Sequence, residues 1–326
     1  MPTRGQSARR VALGLLQIVV SVLLIVLAVG SVDRGTLVEV LGRTSVWYFV
    51  ASVIAVLGVA LVQSVRWRLI LGFLGGELSR GRSAVIVLLS LLYNQVLPST
   101  VGGDAVRVWM ARHQAPSVVE IVHSVIIDRV TGLAALALIA AITWPVLVLE
   151  VGPSPSVIAA GAVSFGGVLA TILLFLASFL PKKFSATLLL RWVRSLASAL
   201  RSASVPIARA LRIGGMAIFG HVCVLSITGL LGFSLGIDTH WSTYAVIIPP
   251  VLIVSVLPIS VAGWGVREGA MVVGLGLLGV SSEEAFALSI LFGAVSTAAG
   301  LAGGAIWLTT RVVVRRTHSA SSEVRS

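Results

Sequence analysis

The chain has 326 residues, of which 57% are hydrophobic and 11% charged, and its mean hydropathy is +1.05. These values exclude a soluble globular domain and indicate an all-α polytopic membrane protein. The net charge of +12 does not point to nucleic acid, because nearly all the basic residues fall in short segments between apolar runs, where they set topology and meet anionic lipid.

Arg4, Arg9 and Arg10 precede an apolar run over 11–31. The run is longer than the apolar region of a signal peptide and has a counterpart in the second half, so it reads as an uncleaved first span. A second span covers 46–65 and ends at Arg66-Trp67-Arg68, which reads as an interfacial anchor on the cytoplasmic side. The segment 83–106 has Arg80 and Arg82 before it and Arg107 and Arg112 after it. The stretch from Ser83 to Leu97 makes about 22 Å of helix, against a hydrocarbon core of about 30 Å. With basic residues at both ends, this is a re-entrant hairpin that turns at Pro98–Gly103.

Spans follow at 118–149, which carries Asp128 and Arg129 inside the run, and at 155–180. Lys182 through Arg212 is too polar to span. Lys182, Lys183, Arg191, Arg194, Arg201, Arg209 and Arg212 interleave with Leu188–Leu190, Trp192, Val193 and Leu196, the pattern of one or two basic amphipathic helices lying on the cytoplasmic face of the membrane. The span 213–236 holds Cys223; a single cysteine excludes a disulfide framework and a cysteine-based metal site. A second hairpin covers 242–278 and enters from outside, since Asp238 and Glu283/Glu284 flank it. The last span is 284–309, and a basic tail covers 311–326. The positive-inside rule places both termini in the cytoplasm of a multi-pass plasma (cytoplasmic) membrane protein.

The two hairpins carry the same short segment, once in each half of the chain. Val96-Leu97-Pro98-Ser99-Thr100-Val101-Gly102-Gly103-Asp104-Ala105-Val106-Arg107 matches Val256-Leu257-Pro258-Ile259-Ser260-Val261-Ala262-Gly263-Trp264-Gly265-Val266-Arg267. Each copy has a helix-stopping Pro, a Gly-containing turn and an Arg at the start of a new helix. Paired broken helices in the two halves of a membrane protein point to a binding site near the midplane. The chain therefore reads as one integral membrane domain, 1–326, built as an inverted repeat. Half one covers about 10–150 and half two about 155–310, with about six spanning helices and two re-entrant hairpins.

An irregular turn at membrane depth must be buried in protein or line a wet cavity. Helices that start after Gly103 and Gly263 point their free N–H groups and positive dipole ends into such a cavity, which suits an anion. Arg107 and Arg267 add guanidinium forks that fit phosphate. Gly102, Gly103, Gly263 and Gly265 let the backbone approach a ligand. Asp104 is placed to act as an N-cap. Glu268 is positioned to pair with Arg107 or with a cationic headgroup, or to carry a proton. Asp128 and Arg129 are costly within an apolar run, so they pair with each other, pair across the repeat, or face the cavity. Tyr93, Asn94 and Gln95 are placed to satisfy loose backbone groups of the first turn. There is no Walker A loop, His-Glu-x-x-His or Gly-x-Ser-x-Gly, and the five histidines lack metal-ligand spacing. No cofactor, metal or catalytic residue is expected.

Three segments in order resemble one family: Asn94-x3-Pro98-Ser99-x2-Gly102-Gly103-Asp104-x2-Arg107; Ile127-Asp128-Arg129, where the acid is more often Glu; and Pro258-x-Ser260-x2-Gly263-x-Gly265-Val266-Arg267-Glu268. This is the flippase-like family, also called the lysylphosphatidylglycerol synthase transmembrane region, found as the membrane half of the bacterial multiple peptide resistance factor and as stand-alone proteins. The resemblance covers about 10–312, with Ala262 where Gly is common. It implies movement of a lipid between leaflets, often an aminoacylated phospholipid or a polyprenyl-phosphate-linked sugar. It adds Pro98, Ser99, Pro258 and Ser260 to the candidate binding residues. The chain of 326 residues leaves no room for an aminoacyl-transferase domain, so synthase activity is not expected. Two alternatives stand beside the flippase or scramblase: an integral-membrane lipid-modifying enzyme using Asp104, Asp128 or Glu268, and a noncatalytic partner of envelope lipid or glycan synthesis enzymes.

Overall fold

Long apolar runs become long helices, and most interruptions fall where the sequence supplies a cap or a helix breaker. The structure is a computed structural model that describes residues 4–30, 32–97, 102–179, 187–257 and 259–323. Pro98, Ser99 and Pro258, like Lys182 and Lys183, lie outside the described residues.

Helix α1 covers Arg4–Gly30 and α2 covers Arg34–Gly42, where the Asp33 carboxylate accepts the Thr36 N–H. Helix α3 is Val46–Phe73, α4 is Arg80–Val96 and α5 is Gly102–Ala111. Helix α6, Val118–Val151, starts at a Ser117 cap and stops at Gly152, whose φ of +78° suits glycine. Helix α7, Pro155–Leu176, has the Ser154 side chain as cap and proline at its first position, and runs into a 3-10 turn over Ala177–Phe179. Then come α8 (Leu188–Ser204), α9 (Ile207–Ser234), α10 (Trp241–Ser255), a 3-10 turn over Val261–Gly263, α11 (Val266–Gly276) and α12 (Ser282–Glu323). No strand occurs among the described residues.

Five helices are long and apolar enough to cross a membrane: Val46–Phe73, Val118–Val151, Pro155–Phe179, Ile207–Ser234 and Ser282–Thr309. The expected first span falls in the 27-residue α1, whose described apolar stretch is Leu16–Leu27. The arms of the two hairpins, α4, α5, α10 and α11, have 17, 10, 15 and 11 residues. At about 1.5 Å per residue, each is shorter than a core of about 30 Å.

Two boundaries differ from the sequence reading. Helix α3 continues past 65 to Phe73, because Leu69, Ile70, Leu71 and Phe73 restore an apolar face after the arginines. Helix α9 begins at Ile207, so Arg209 and Arg212 belong to a long helix and the amphipathic connector is the single helix α8. That helix buries Leu196, Ala197, Leu200 and Ala203 and exposes Arg191 and Arg201.

The element order runs twice: α1–α3, hairpin α4/α5, α6; then α7–α9, hairpin α10/α11, α12. Packing partners exchange accordingly. Helix α4 lies on α12 and α10 on α6, α6 lies on α9 and α12 on α3, and α3 meets α9. The α4–α12 approach is tight: a Cβ on Gly303 would stand 2.4 Å from the Leu88 carbonyl oxygen. Small residues that let backbones meet are a main source of packing where lipid removes the hydrophobic drive.

Candidate functional site

Trp67, on the part of α3 beyond residue 65, is fully buried and donates through Nε1 to Ser124 Oγ on α6 at 3.0 Å. Its ring lies under the Arg107 guanidinium at 4.4 Å. This fixes Arg107, on α5, beside α6. Arg107 Nη2 donates to Asp128 Oδ2 at 2.9 Å, and Arg66 Nε donates to Asp128 Oδ1 at 2.7 Å. Arg66 Nη2 reaches the Asp128 carbonyl at 3.3 Å, and Gln63 Nε2 reaches Oδ2 at 3.3 Å. One fully buried carboxylate thus holds two arginines from two other helices. Asp104 pairs with Arg129 and stands 3.6 Å from Arg107 Nη1.

Arg66 corrects the sequence reading. It is 7% exposed and ion-paired rather than an interfacial anchor. The apolar residues that resume after Arg68 were the signal that places it inside a helix. Asp104 is the third residue of α5, in its first turn, and not its N-cap. The capping role falls instead to Asn94, whose Oδ1 accepts the Gly103 N–H at 2.9 Å. A Cβ on Gly103 would lie 2.4 Å from the Ser90 carbonyl oxygen, so only glycine fits there.

The second hairpin is built differently. Arg267 Nη2 donates to Glu268 Oε1 at 2.6 Å and its Nε donates to Ser289 Oγ at 3.1 Å. Ser289 Oγ in turn donates to Glu268 Oε1 at 3.0 Å. The other Glu268 oxygen accepts the Gly265 N–H at the start of α11. The Arg267 guanidinium stacks on Trp264 at 4.8 Å. Gly265, at φ +87°, sits against α1, where an added Cβ would stand 2.4 Å from Leu24 Cβ. Ser21 of α1 accepts the Val261 N–H at 2.7 Å. Ser260 is buried at the cap position that precedes the 3-10 turn. Gly263 has a φ of +79°, and Ala262 adopts φ +51°, the left-handed region that favours glycine.

A cavity of about 430 Å³ joins the two hairpins. Asn94, Asp104 and Arg107 line it from the first, Ala262 and Arg267 from the second, and Arg66, Asp128, Arg129 and His221 from the helices between. Arg107 and Arg267 therefore face one space. Glu268 is fully buried behind Arg267 and is not among the lining residues. Four guanidiniums meet three carboxylates, which leaves one positive charge in excess. Arg129 is the most accessible of the four, with 29% of its side chain exposed; the Arg66, Arg107 and Arg267 side chains are buried. His221 Nε2 lies 2.9 Å from the Gly132 carbonyl oxygen. Among the described residues no group of three or more His, Cys, Asp or Glu is arranged to hold a metal.

The sequence reading missed Arg66, Trp67, Gln63, His221 and Ser289 as members of this constellation. The ion pairs seen among the described residues join Asp128 to Arg66 and Arg107 and Arg129 to Asp104, all three partners lying in the first half. Glu268 pairs with its neighbour Arg267 and not with Arg107.

A family model described as the lysylphosphatidylglycerol synthase TM region matches residues 14–304. No curated protein matches the chain.

Proposed function

The chain belongs to the lysylphosphatidylglycerol synthase TM-region family, and from that premise we propose that it moves a lipid across the bilayer as a flippase or scramblase. The family ties the chain to membrane lipids. The cargo class is an anionic or aminoacylated phospholipid or a polyprenyl-phosphate-linked lipid. Its headgroup sits in the shared cavity while its tails stay in the bilayer. The observation that carries this reading is the single cavity of about 430 Å³ that receives an arginine from each hairpin. Its volume falls in the range of about 300–1,000 Å³ typical of small-ligand sites, which suits a headgroup rather than a whole lipid.

The excess guanidinium charge favours a phosphate, and Arg129 is the first group that an entering phosphate meets. In this reading the halves insert in opposite orientations, both termini lie in the cytoplasm, and the membrane is the plasma membrane. The carboxylates are committed to arginines, which favours a binding and transport role over their use as a catalytic base. The energy comes from a gradient, from consumption of the product, or from partner enzymes of envelope lipid or glycan synthesis.

The test is reconstitution into liposomes carrying fluorescent phosphatidylglycerol or a fluorescent polyprenyl phosphate, with leaflet exchange followed by a membrane-impermeant quencher. The proposal expects exchange faster than in protein-free liposomes for at least one lipid, and slower exchange with Arg129→Gln. Equal rates with and without protein for every lipid would sink it for those lipids.

A further inference from the structure

A second cavity, of about 440 Å³, lies apart from the first. Its walls are Ile127, Val130, Thr131 and Ala134 of α6, Thr171, Ile172 and Phe175 of α7, and the elbow between α8 and α9 from Leu200 to Ile213. The lining is almost wholly apolar. Thr131 Oγ1 donates to the Ile127 carbonyl at 2.7 Å and Thr171 Oγ1 to the Gly167 carbonyl at 2.9 Å, so both hydroxyls are spent within their own helices. Apart from Ser204 at the elbow, the lining therefore favours an apolar occupant. Ile172, Val205 and Ile207 at its edge are about half exposed or more.

The rim is cationic. Phe175, in the wall, packs edge-on against Phe179, with ring centroids 5.9 Å apart. Arg201 lies over the Phe179 ring at 4.3 Å. Arg209 lies over the Phe73 ring at 4.4 Å and donates through Nη1 to the Ser202 carbonyl at 3.1 Å. The two guanidiniums therefore stand at neighbouring points of the elbow, above the slot. No acidic residue occurs between Glu150 and Asp238. None of the ion pairs among the described residues draws on Arg201 or Arg209.

We propose that this slot binds one anionic phospholipid from the leaflet on which α8 lies, with an acyl chain between α6, α7 and the α8–α9 elbow and the phosphate at Arg201 and Arg209. An apolar slot under two arginines on an amphipathic helix matches both ends of such a lipid. This site is separate from the central cavity. The two have no lining residue in common, although α6 and α9 border both. Helix α6 presents Asp128, Arg129, Gly132 and Leu133 to the central cavity and Ile127, Val130, Thr131 and Ala134 to the slot. Helix α9 presents Met216, Ala217, Gly220, His221 and Val224 to the first and Ile207, Ala210 and Ile213 to the second.

The test is photocrosslinking in phosphatidylcholine vesicles doped with a trace lipid that bears a diazirine in its acyl chain, either phosphatidylglycerol or phosphatidylcholine. Labelled peptides are mapped by mass spectrometry. In the wild-type protein, phosphatidylglycerol labels 127–134, 171–175 and 203–213 roughly tenfold more than phosphatidylcholine does. In the Arg201→Gln/Arg209→Gln variant, phosphatidylglycerol labelling falls to the phosphatidylcholine level. Ala203→Phe, which fills the slot, loses the labelling, with the melting temperature confirming its fold. Because Arg201 and Arg209 lie at the surface, the charge variant stands as a test even if Ala203→Phe misfolds. Equal labelling by the two lipids in wild type would reduce the slot to an ordinary boundary contact and overturn the proposal. Absence of labelling there, as expected if an acidic protein segment covered the elbow, would overturn it too. No transport rate enters this readout, so it stands or falls independently of the flippase reading.

Discussion

In the first half of the chain, Arg107 reaches a carboxylate on another helix. In the second half, Arg267 is held by the carboxylate next to it in sequence. The two arginines close matching segments of the repeat, yet their surroundings have diverged. In the same register, the counterpart of Asp128 is Leu288, and its neighbour Ser289 is what meets Arg267. The first half-site is a network across α3, α5 and α6 with an accessible edge at Arg129 and Asp104. The second is a closed knot of Arg267, Glu268 and Ser289, in which Glu268 also occupies the N-terminus of α11. The sequence suggested two helix starts, both suited to an anion, pointing into one cavity. In the structure one of those starts is already answered by the protein's own carboxylate. A repeated motif can thus keep its arginine while the two copies pair that arginine in different ways.

The strongest way to break this comparison is at Asp128. Asp128→Ala leaves Arg66 and Arg107 buried without their shared counter-charge. Removing one partner of a buried pair typically costs about 3–5 kcal/mol, so the variant should show a sharply reduced folded yield and melting temperature in detergent. Glu268→Gln strands one arginine and keeps a polar side chain of the same shape, so its loss should be smaller, about 1–3 kcal/mol. If Glu268→Gln proves the more damaging of the two, the second half-site carries more of the fold than the first and the contrast is reversed.

Arg129→Gln sharpens the comparison from the functional side. Its partly exposed pair with Asp104 should contribute at most about 1 kcal/mol to stability after solvent screening, so the melting temperature should stay near wild type. Lipid exchange should fall several-fold, because Arg129 is the cavity's most accessible positive charge. Ser289→Ala should do the reverse, costing about 1 kcal/mol in melting experiments while exchange changes little. Parallel losses of exchange in both variants would merge the two half-sites into one.

The parts of this arrangement that were legible in the sequence follow from local rules. Helix-length apolar runs, short Pro-Gly hairpins and basic connectors each leave a signature within one short stretch of chain, and the five long helices, the hairpin arms and α8 appear where those signatures fall. The pairing of charges was not legible, because it depends on which helix faces which. Nothing near Arg66 in sequence announces Asp128, on a helix beyond the first hairpin, as its partner. The tryptophans that carry Arg107 and Arg267 were equally hidden. Trp67 reaches Arg107 only through tertiary packing, and Trp264 resembles any aromatic residue near a membrane turn.

The smallest expected effect concerns Ala262. Its φ of +51° costs an L-residue about 1–2 kcal/mol, and glycine would remove that cost. Glycine also gives the unfolded chain more freedom, which offsets about 0.4–1 kcal/mol. Ala262→Gly should therefore raise stability by between about 0 and about 1.6 kcal/mol, read as a small upward shift in melting temperature. The first copy of the segment has Gly102 in the register of Ala262, so the substitution makes the second copy more like the first and removes one methyl from the cavity wall. A clear drop in melting temperature would mean that the methyl packs usefully against the hairpin. The strain at Ala262 would then be part of what keeps the second half-site closed.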